Sequence, residues 1–188
     1  MKKRIVTIAG SLGSGKSSTA KAVAQALGYT HFSSGDFFRQ AAAERGLTIE
    51  EINITSETGN EVDKQVDGIL REKAEENNLV IDSRTAFHWI PDSFKVFLFL
   101  DPQTAAERIF AQIQKEGRES QFGSSVEEIR ENTELRTASE KKRYMNLYGI
   151  DGTATNNFDI VLNTKHNDLK TITAMVLAAY NAWSESGN

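Results

Sequence analysis

Residues 10–18 read Gly-Ser-Leu-Gly-Ser-Gly-Lys-Ser-Ser, and no other stretch restricts the fold as tightly. The run satisfies the pattern GxxxxGK followed by Ser or Thr. It stands between an apolar, β-branched segment (Ile5, Val6, Ile8) and a helical repeat of Ala20, Val23, Ala24 and Leu27. In that order, strand, loop and helix turn backbone N–H groups inward around phosphate oxygens, and the helix N-terminus adds positive potential. Gly10, Ser11, Leu12, Gly13, Ser14, Gly15, Lys16 and Ser17 are therefore read as a P-loop for a nucleoside triphosphate. Lys16 would reach the terminal phosphates and the Ser17 hydroxyl would ligate Mg2+. Ser18 closes the motif and is grouped with it, without a chemical role of its own. A purely structural Gly/Ser turn is the alternative, and it leaves the strand and helix on the required sides unexplained.

The rest of the chain repeats the alternation of strand and helix. Gly28 stops the first helix, and a short strand over 29–33 leads to Ser34, the expected cap of a helix from about 35 to 45. Thr48 opens a further helical piece. Over 60–76 the apolar positions Val62, Val66, Ile69 and Leu70 and the Lys73 stem share one face, predicting an amphipathic surface helix. Strands are expected over 79–82 and 95–100, a helix from Pro102 to about Glu116, and a polar loop over 117–125. Ser125 and Glu128 form a capping box for a long charged helix that Gly149 ends. A strand over 159–162 and a helix with Leu169, Ile172, Val176, Ala179 and Trp183 inward complete the chain. With right-handed crossovers this pattern predicts an α/β three-layer sandwich: a parallel sheet of about five strands with helices on both faces. Ligands of such sheets lie at the C-terminal strand ends.

Three more groups of charges stand out. In SSGDFFR, Asp36 and Arg39 stand three apart at a helix start, suited to hold an acceptor's phosphate and a sugar or base donor, or to form a cap with a surface ion pair. In IDSR, Asp82 could hold a magnesium-bound water and Arg84 a transferring phosphoryl group, or the two could shape a turn. Asp101, followed by Pro102, is read first as a helix cap. In RTASEKKR, Arg136, Glu140 and Arg143 lie on one helix face, either a solvated ion-paired stripe or cations that close over phosphates. His31, His88 and His166 have no metal-ligand spacing, and they and the two tryptophans are read as structural, with Phe37 and Phe38 as possible base-stacking exceptions.

Composition narrows the function further. At 188 residues, a single domain spanning the whole chain is expected. No apolar run reaches the roughly 18 residues of a membrane helix, and no signal peptide is read after Lys2, Lys3 and Arg4, so a cytoplasmic setting without membrane contact is expected. The absence of cysteine excludes disulfides, thiolate metal sites and thiol nucleophiles. A net charge of −4 offers no general attraction to nucleic acid, whereas a nucleotide pocket needs only a few local cations.

Taken together, GSLGSGKSS, SSGDFFR with the following ERG, IDSR, ERI after Asp101, RTASEKKRYMNLYGID and FDIVLNT resemble the nucleoside monophosphate kinases. They are most similar to the short, archaeal-type cytidylate kinases and their bacterial relatives. The resemblance spans nearly the whole chain. It implies a magnesium-dependent kinase that moves the γ-phosphoryl group of ATP to CMP or dCMP, acting as a monomer or weak dimer. It also implies that Asp36, Arg39 and Arg84 bind the acceptor nucleotide, that Arg108 lies against the ATP base, and that Arg118 sits in a short lid over about 115–126. Arg136 and Arg143 would reach phosphates from the lid's return helix, with Glu140 as an acidic ligand-binding position between them. An acceptor-binding cap would span about 36–76, with Asp63 as a base contact. The chain departs from many relatives at Gln112, where they carry a second basic residue one turn after Arg108, and in its polar lid GRESQFG.

Two other functions stay open at the level of sequence. A P-loop kinase for another monophosphate or a small metabolite would share the loop but not SSGDFFR and YGID. A non-catalytic ATP-binding module would bind ATP without acceptor-dependent ADP release. A GTPase switch would need an NKxD motif after an apolar strand, and the chain has none.

Overall fold

The computed structural model describes residues 3–47, 51–52, 61–116 and 123–186. Five strands form one sheet: β1 (Ile5–Gly10), β2 (Thr30–Ser33), β3 (Leu79–Asp82), β4 (Phe94–Phe99) and β5 (Ile160–Asn163). Their order is β2-β3-β1-β4-β5, and every pairing is parallel. β1 is central because it is apolar on both faces. Ile5, Val6 and Ile8 are wholly buried, and β1 pairs Ile8 with Asp82 on one side and Gly10 with Leu98 on the other. This register aligns the C-terminal ends of β1, β3 and β4, where the loops that carry charge emerge.

Helices cover both faces, as the strand-helix alternation predicts. On one face α1 (Lys16–Leu27) and α7 (Leu169–Glu185) bury Val23, Ile172, Val176 and Tyr180 against Val6, Ile8, Val96 and Leu98. On the other, α3 (Glu61–Lys73) and the short α4 (Ala86–Trp89) bury Val66, Leu70, Ala86 and Ile90 against Ile5, Leu79 and Ile81. Each such aliphatic side chain contributes about 1.5–3 kcal/mol by leaving water. A third cluster joins Ala41 and Ala42 of α2 (Ser34–Glu44) to Ile52 and Val62. Helix α5 (Pro102–Glu116) and the long α6 (Val126–Tyr148) pack on each other beside β4.

Several helix ends follow their sequence signals. Gly28 and Gly149 adopt left-handed conformations as C-caps. Asp101 accepts the Thr104 N–H at 3.0 Å, and that backbone hydrogen bond holds its carboxyl down at about 2. The cap of α2 is corrected. Ser33, not Ser34, accepts the Asp36 N–H, while the Ser34 hydroxyl turns to the Asp82 carbonyl. Only half of the capping box at α6 forms: Ser125 accepts from Glu128 N, but the Glu128 carboxylate takes the N–H and hydroxyl of Ser124. Leu169, expected inward, is 48% exposed because it is the first residue of α7, and Tyr180 fills the face instead. The surface helix expected over 60–76 carries two buried carboxylates, Asp63 and Asp67, within its apolar stripe. The helical piece from Thr48 and the loop at 117–122 lie outside the described residues.

Candidate nucleotide site

The loop from Gly10 to Gly15 is held by backbone contacts that only glycine permits at two points. Gly10 runs so close to β4 that an added Cβ would meet the Leu98 carbonyl at 2.3 Å, and Gly15 starts α1 in a left-handed conformation, φ 84°. The Ser11 N–H donates to Leu98 O at 2.9 Å, and the Ser11 carbonyl accepts both the Ser14 hydroxyl at 2.7 Å and Lys16 Nζ at 3.1 Å. The ammonium is thus drawn back over its own loop. Burial, and then the nearby Arg84, lower the Lys16 pKa to about 8. The next residue, Ser17, donates its hydroxyl to Asp82 Oδ2 across the β1–β3 pairing.

Beyond Asp82 the chain turns through Ser83, whose N–H reaches Ile8 O at 3.1 Å, and delivers Arg84 toward α6. Arg84 Nε meets Glu140 Oε2 at 2.6 Å, and Arg136 Nε meets Glu140 Oε1 at 3.0 Å. Burial works against ionising Glu140, but the two arginines outweigh it and hold the carboxyl below its usual range. One turn further, Arg143 Nε lies 3.5 Å from Asp63 Oδ2, both side chains 4% exposed. Arg39 pairs with Asp36 at the surface, and Arg39's hydrogen bond lowers the Asp36 pKa.

These groups border a cleft of about 220 Å³. Lys16, Ser17, Arg39, Asp82, Arg84, Arg136 and Arg143 line it, with Asp63, Asp67 and Phe38. Five of these side chains are cations, in a protein whose net charge is negative. Such a concentration beside a P-loop is suited to grip phosphates and to offset charge that spreads over a phosphoryl group in transit. A larger cleft of about 590 Å³ lies on the other side of the Arg84–Glu140 pair. It is walled by Phe97, Phe99, Leu100 and Ala105 and by Thr133, Thr137 and Ala138 of α6, and it shares Gly10, Ser11 and Leu12 with the loop.

The profile of the cytidylate kinase-like family matches residues 5–166. The chain belongs to that family. The cytidylate kinase of Archaeoglobus fulgidus is 34% identical to it over 176 residues, 93% of each chain. The cytidylate kinase of Thermoplasma volcanium is 36% identical over 178 residues, 92% of this chain and 88% of that one. Among solved structures, a shikimate kinase from Bacteroides thetaiotaomicron superposes with a TM-score of 0.64 at 16% identity, covering 96% of this chain and 98% of that one. A gluconokinase from Sinorhizobium meliloti gives a TM-score of 0.64 at 16% identity, with 98% and 95% covered. These likenesses show the P-loop kinase fold.

For this cytidylate kinase-like chain, the fold brings together most of the site residues named from sequence. The loop from Gly10 to Ser17, with Asp82, Arg84, Arg136, Glu140 and Arg143, meets at the strand ends, Arg39 and Asp63 line the same cleft, and Asp36 is tied to it through its ion pair with Arg39. Arg108 stands apart, where its guanidinium donates to Thr164 O at 2.6 Å, Thr164 Oγ1 at 3.3 Å and Lys165 O at 3.1 Å, against the loop that follows β5. Ser18 is the third residue of α1, and Arg118 lies outside the described residues. Phe37 and Phe38 pack against two of the core clusters. The His88 ring stacks on Tyr148, and Trp89 meets Tyr148 edge to face. Sequence reasoning did not single out Asp67 and Tyr144, which line the smaller cleft, or Tyr148, whose hydroxyl donates to Asp67. The signal for Asp67 was present: it falls four residues after Asp63 inside the apolar stripe Val62, Val66 and Leu70, where a solvated carboxylate does not belong.

Proposed function

We propose that this protein is an ATP-dependent cytidylate kinase, moving the γ-phosphoryl group of ATP to CMP or dCMP and releasing ADP with CDP or dCDP. The observation that carries the reading is the convergence of a P-loop and five cationic side chains on one cleft, with Arg84 and Arg136 tied together by Glu140. The names of the curated relatives favour cytidylate as the acceptor.

In this reading the backbone of Gly10 to Ser17 and the Lys16 ammonium hold the donor's phosphates. Lys16 leaves the Ser11 carbonyl for a phosphate oxygen, a better partner because it is charged. Arg108, fixed on the loop after β5, would border the donor's base, and Arg118 would approach the phosphates from a lid over about 115–126. Arg39, with Arg84 and Arg143, would hold the acceptor's phosphate, with Asp36 and the cap over about 36–76 closing around its nucleoside. An oxygen of the acceptor's phosphate attacks the γ-phosphorus as the bond to the β-phosphate oxygen breaks, and Arg84, Arg136 and Lys16 offset the charge on the transferred group. No covalent enzyme intermediate is required.

The Ser17 hydroxyl beside Asp82 fits Mg2+, which takes one or two protein oxygens and fills its remaining positions with phosphate oxygens and water. Among the described residues there is no cluster of three His, Cys, Asp or Glu that could hold a metal ion. When bound, Mg2+ would neutralise and orient the donor's phosphates. Closing the cleft to water favours transfer over hydrolysis. No described helix is long and apolar enough to cross a membrane, and we infer a cytoplasmic enzyme, monomeric or weakly dimeric, of pyrimidine nucleotide metabolism.

The test is ADP release, coupled to a second enzyme, with ATP, Mg2+ and each of CMP, dCMP, UMP and AMP. Release that depends on CMP or dCMP is expected. ATP binding without acceptor-dependent release would identify a non-catalytic module instead, and release with AMP alone would point to a different acceptor.

A further inference from the structure

We propose that the larger cleft, of about 590 Å³ between β4 and α6, is a second ligand site that takes an uncharged aromatic molecule. It lies outside both places the kinase reading uses. Neither Lys16 nor Ser17 lines it, nor do Arg108 and the loop after β5, nor any described residue of α2 or α3. Among the described residues it meets the nucleotide cleft at a partition of Leu12, Arg84, Glu140 and Tyr144, which line both.

The cleft exists because β4 carries an aromatic face that its helices do not fully cover. Phe97 and Phe99 alternate with Val96 and Leu98, which are buried in the core beneath α1 and α7, so the two rings point to the opposite side of the sheet. Phe97 rests on Phe158, ring centroids 4.9 Å apart, but Phe99 is 43% exposed. Val161, the β5 partner of Phe97, is also half-exposed on that side. Apolar-walled clefts of about 300–1,000 Å³ are the size that holds small molecules, and a ring laid on Phe99 would take that side chain out of water.

The chemistry of the occupant follows from what the polar groups of the wall already hold. The charged side chains there are Arg84, Glu134, Glu140 and Lys141. Arg84 pairs with Glu140, Lys141 Nζ meets Asp151 Oδ2 at 2.7 Å, and Glu134 pairs with Arg130 at 3.5 Å. Thr133 and Thr137 donate their hydroxyls to the carbonyls of Arg130 and Thr133, and Thr153 donates to Asp151 Oδ1. A charged ligand would enter without a counter-ion unless one of these pairs broke, and an unpaired charge out of water is costly. A neutral ring system avoids that cost. Any N–H or O–H it carries can donate to a threonine oxygen that has already given up its own proton.

Occupancy reaches the nucleotide cleft through the shared Arg84–Glu140 pair. Such coupling is reciprocal, so ATP and the ligand shift each other's affinity by one finite factor.

The experiment titrates N-phenyl-1-naphthylamine, a neutral aromatic amine whose fluorescence rises out of water, into the wild-type protein with and without saturating ATP and Mg2+. The same titration, an ATP titration and a melting curve are run on Ala138→Phe and Phe99→Ala. Ala138 is an exposed position of α6 that lines the cleft, so a phenyl ring there fills the cleft without crowding the core. Saturable one-to-one binding is expected in the wild type, persisting at saturating ATP, either unchanged or moved to a finite limit. It should weaken at least about tenfold in Ala138→Phe and about two- to tenfold in Phe99→Ala, with both variants still binding ATP. Three results overturn the inference: no saturable binding, equal affinity in folded variants, or simple competition in which the probe's affinity falls without limit as ATP rises. If neither variant folds, the wild-type titration against ATP decides. Probe binding by a protein inactive with every monophosphate would overturn the kinase reading and leave this one standing.

Discussion

Glu140 receives Arg84 Nε on one carboxylate oxygen at 2.6 Å and Arg136 Nε on the other at 3.0 Å, so a single 7%-exposed carboxylate orients two arginines from different elements. Arg84 arrives from the end of β3, and Arg136 lies one turn before Glu140 on α6. Both are bound through Nε, which helps to fix each guanidinium plane.

Removing that charge leaves two cations facing each other in a buried place. Glu140→Gln should therefore destabilise the nucleotide-free protein by about 3–5 kcal/mol. ATP with CMP should restore more stability to the variant than to the wild type, because phosphates replace the missing anion. Melting curves with and without nucleotide measure both effects. A pH signature accompanies them: the folded-state pKa of Glu140 is below its unfolded value of 4.5, so its contribution is present above 4.5 and is lost as the pH falls through the lower value. The variant should lack that acid-side component.

Lys16→Ala should abolish turnover, since the ammonium is the cation nearest the P-loop's own carbonyls. In the wild type the ammonium binds phosphate only when protonated, and its pKa in the free protein is about 8. Affinity for ATP should be level below pH 8 and decline above it, approaching tenfold per pH unit until the pKa of the bound state is reached. Titration with ATP from pH 7 to 9.5 measures this.

Arg39→Ala should raise the KM for the acceptor with kcat little changed, because Arg39 borders the cleft but pairs with Asp36 rather than with Glu140. Its ion pair with Asp36 is exposed, 58% and 60% for the two side chains, so the melting temperature should shift by the equivalent of at most about 1 kcal/mol. Steady-state kinetics with CMP varied will separate the two parameters.

Gly10→Ala should cost stability and nucleotide binding together. The new methyl meets a backbone carbonyl of β4 that cannot turn aside, at a position already left-handed. Overpacking of this kind costs about 1–3 kcal/mol, and the backbone strain adds to it. Loss of ATP binding with an unchanged melting temperature would contradict the packing argument.

Asp82→Asn should raise the Mg2+ concentration needed for half-maximal activity, because an amide is a weaker partner than a carboxylate for the ion and its bound water. The Ser17 hydroxyl keeps a hydrogen-bond acceptor in the variant, so the fold should persist. Activity measured across a Mg2+ series checks this.

Much of this architecture was legible in the amino-acid order, because it depends on local rules. The glycine pattern 10–15 requires left-handed and closely packed backbone, apolar β-branched runs require strands buried on both faces, and Gly28 and Gly149 mark helix ends that their φ values of 65° and 70° bear out. Those signals fix the strand-loop-helix unit, the parallel sheet and the placing of charge at strand ends. What each charge meets was decided by tertiary structure. RTASEKKR reads equally well as a solvated stripe, and only the crossing of α6 over the end of β3 brings Arg84 to Glu140, 56 positions further along the chain. Asp67 and Tyr148, 81 positions apart, face each other for the same reason. Sequence spacing determines neighbours within one helix or strand, whereas pairings between elements depend on how the sheet stacks them.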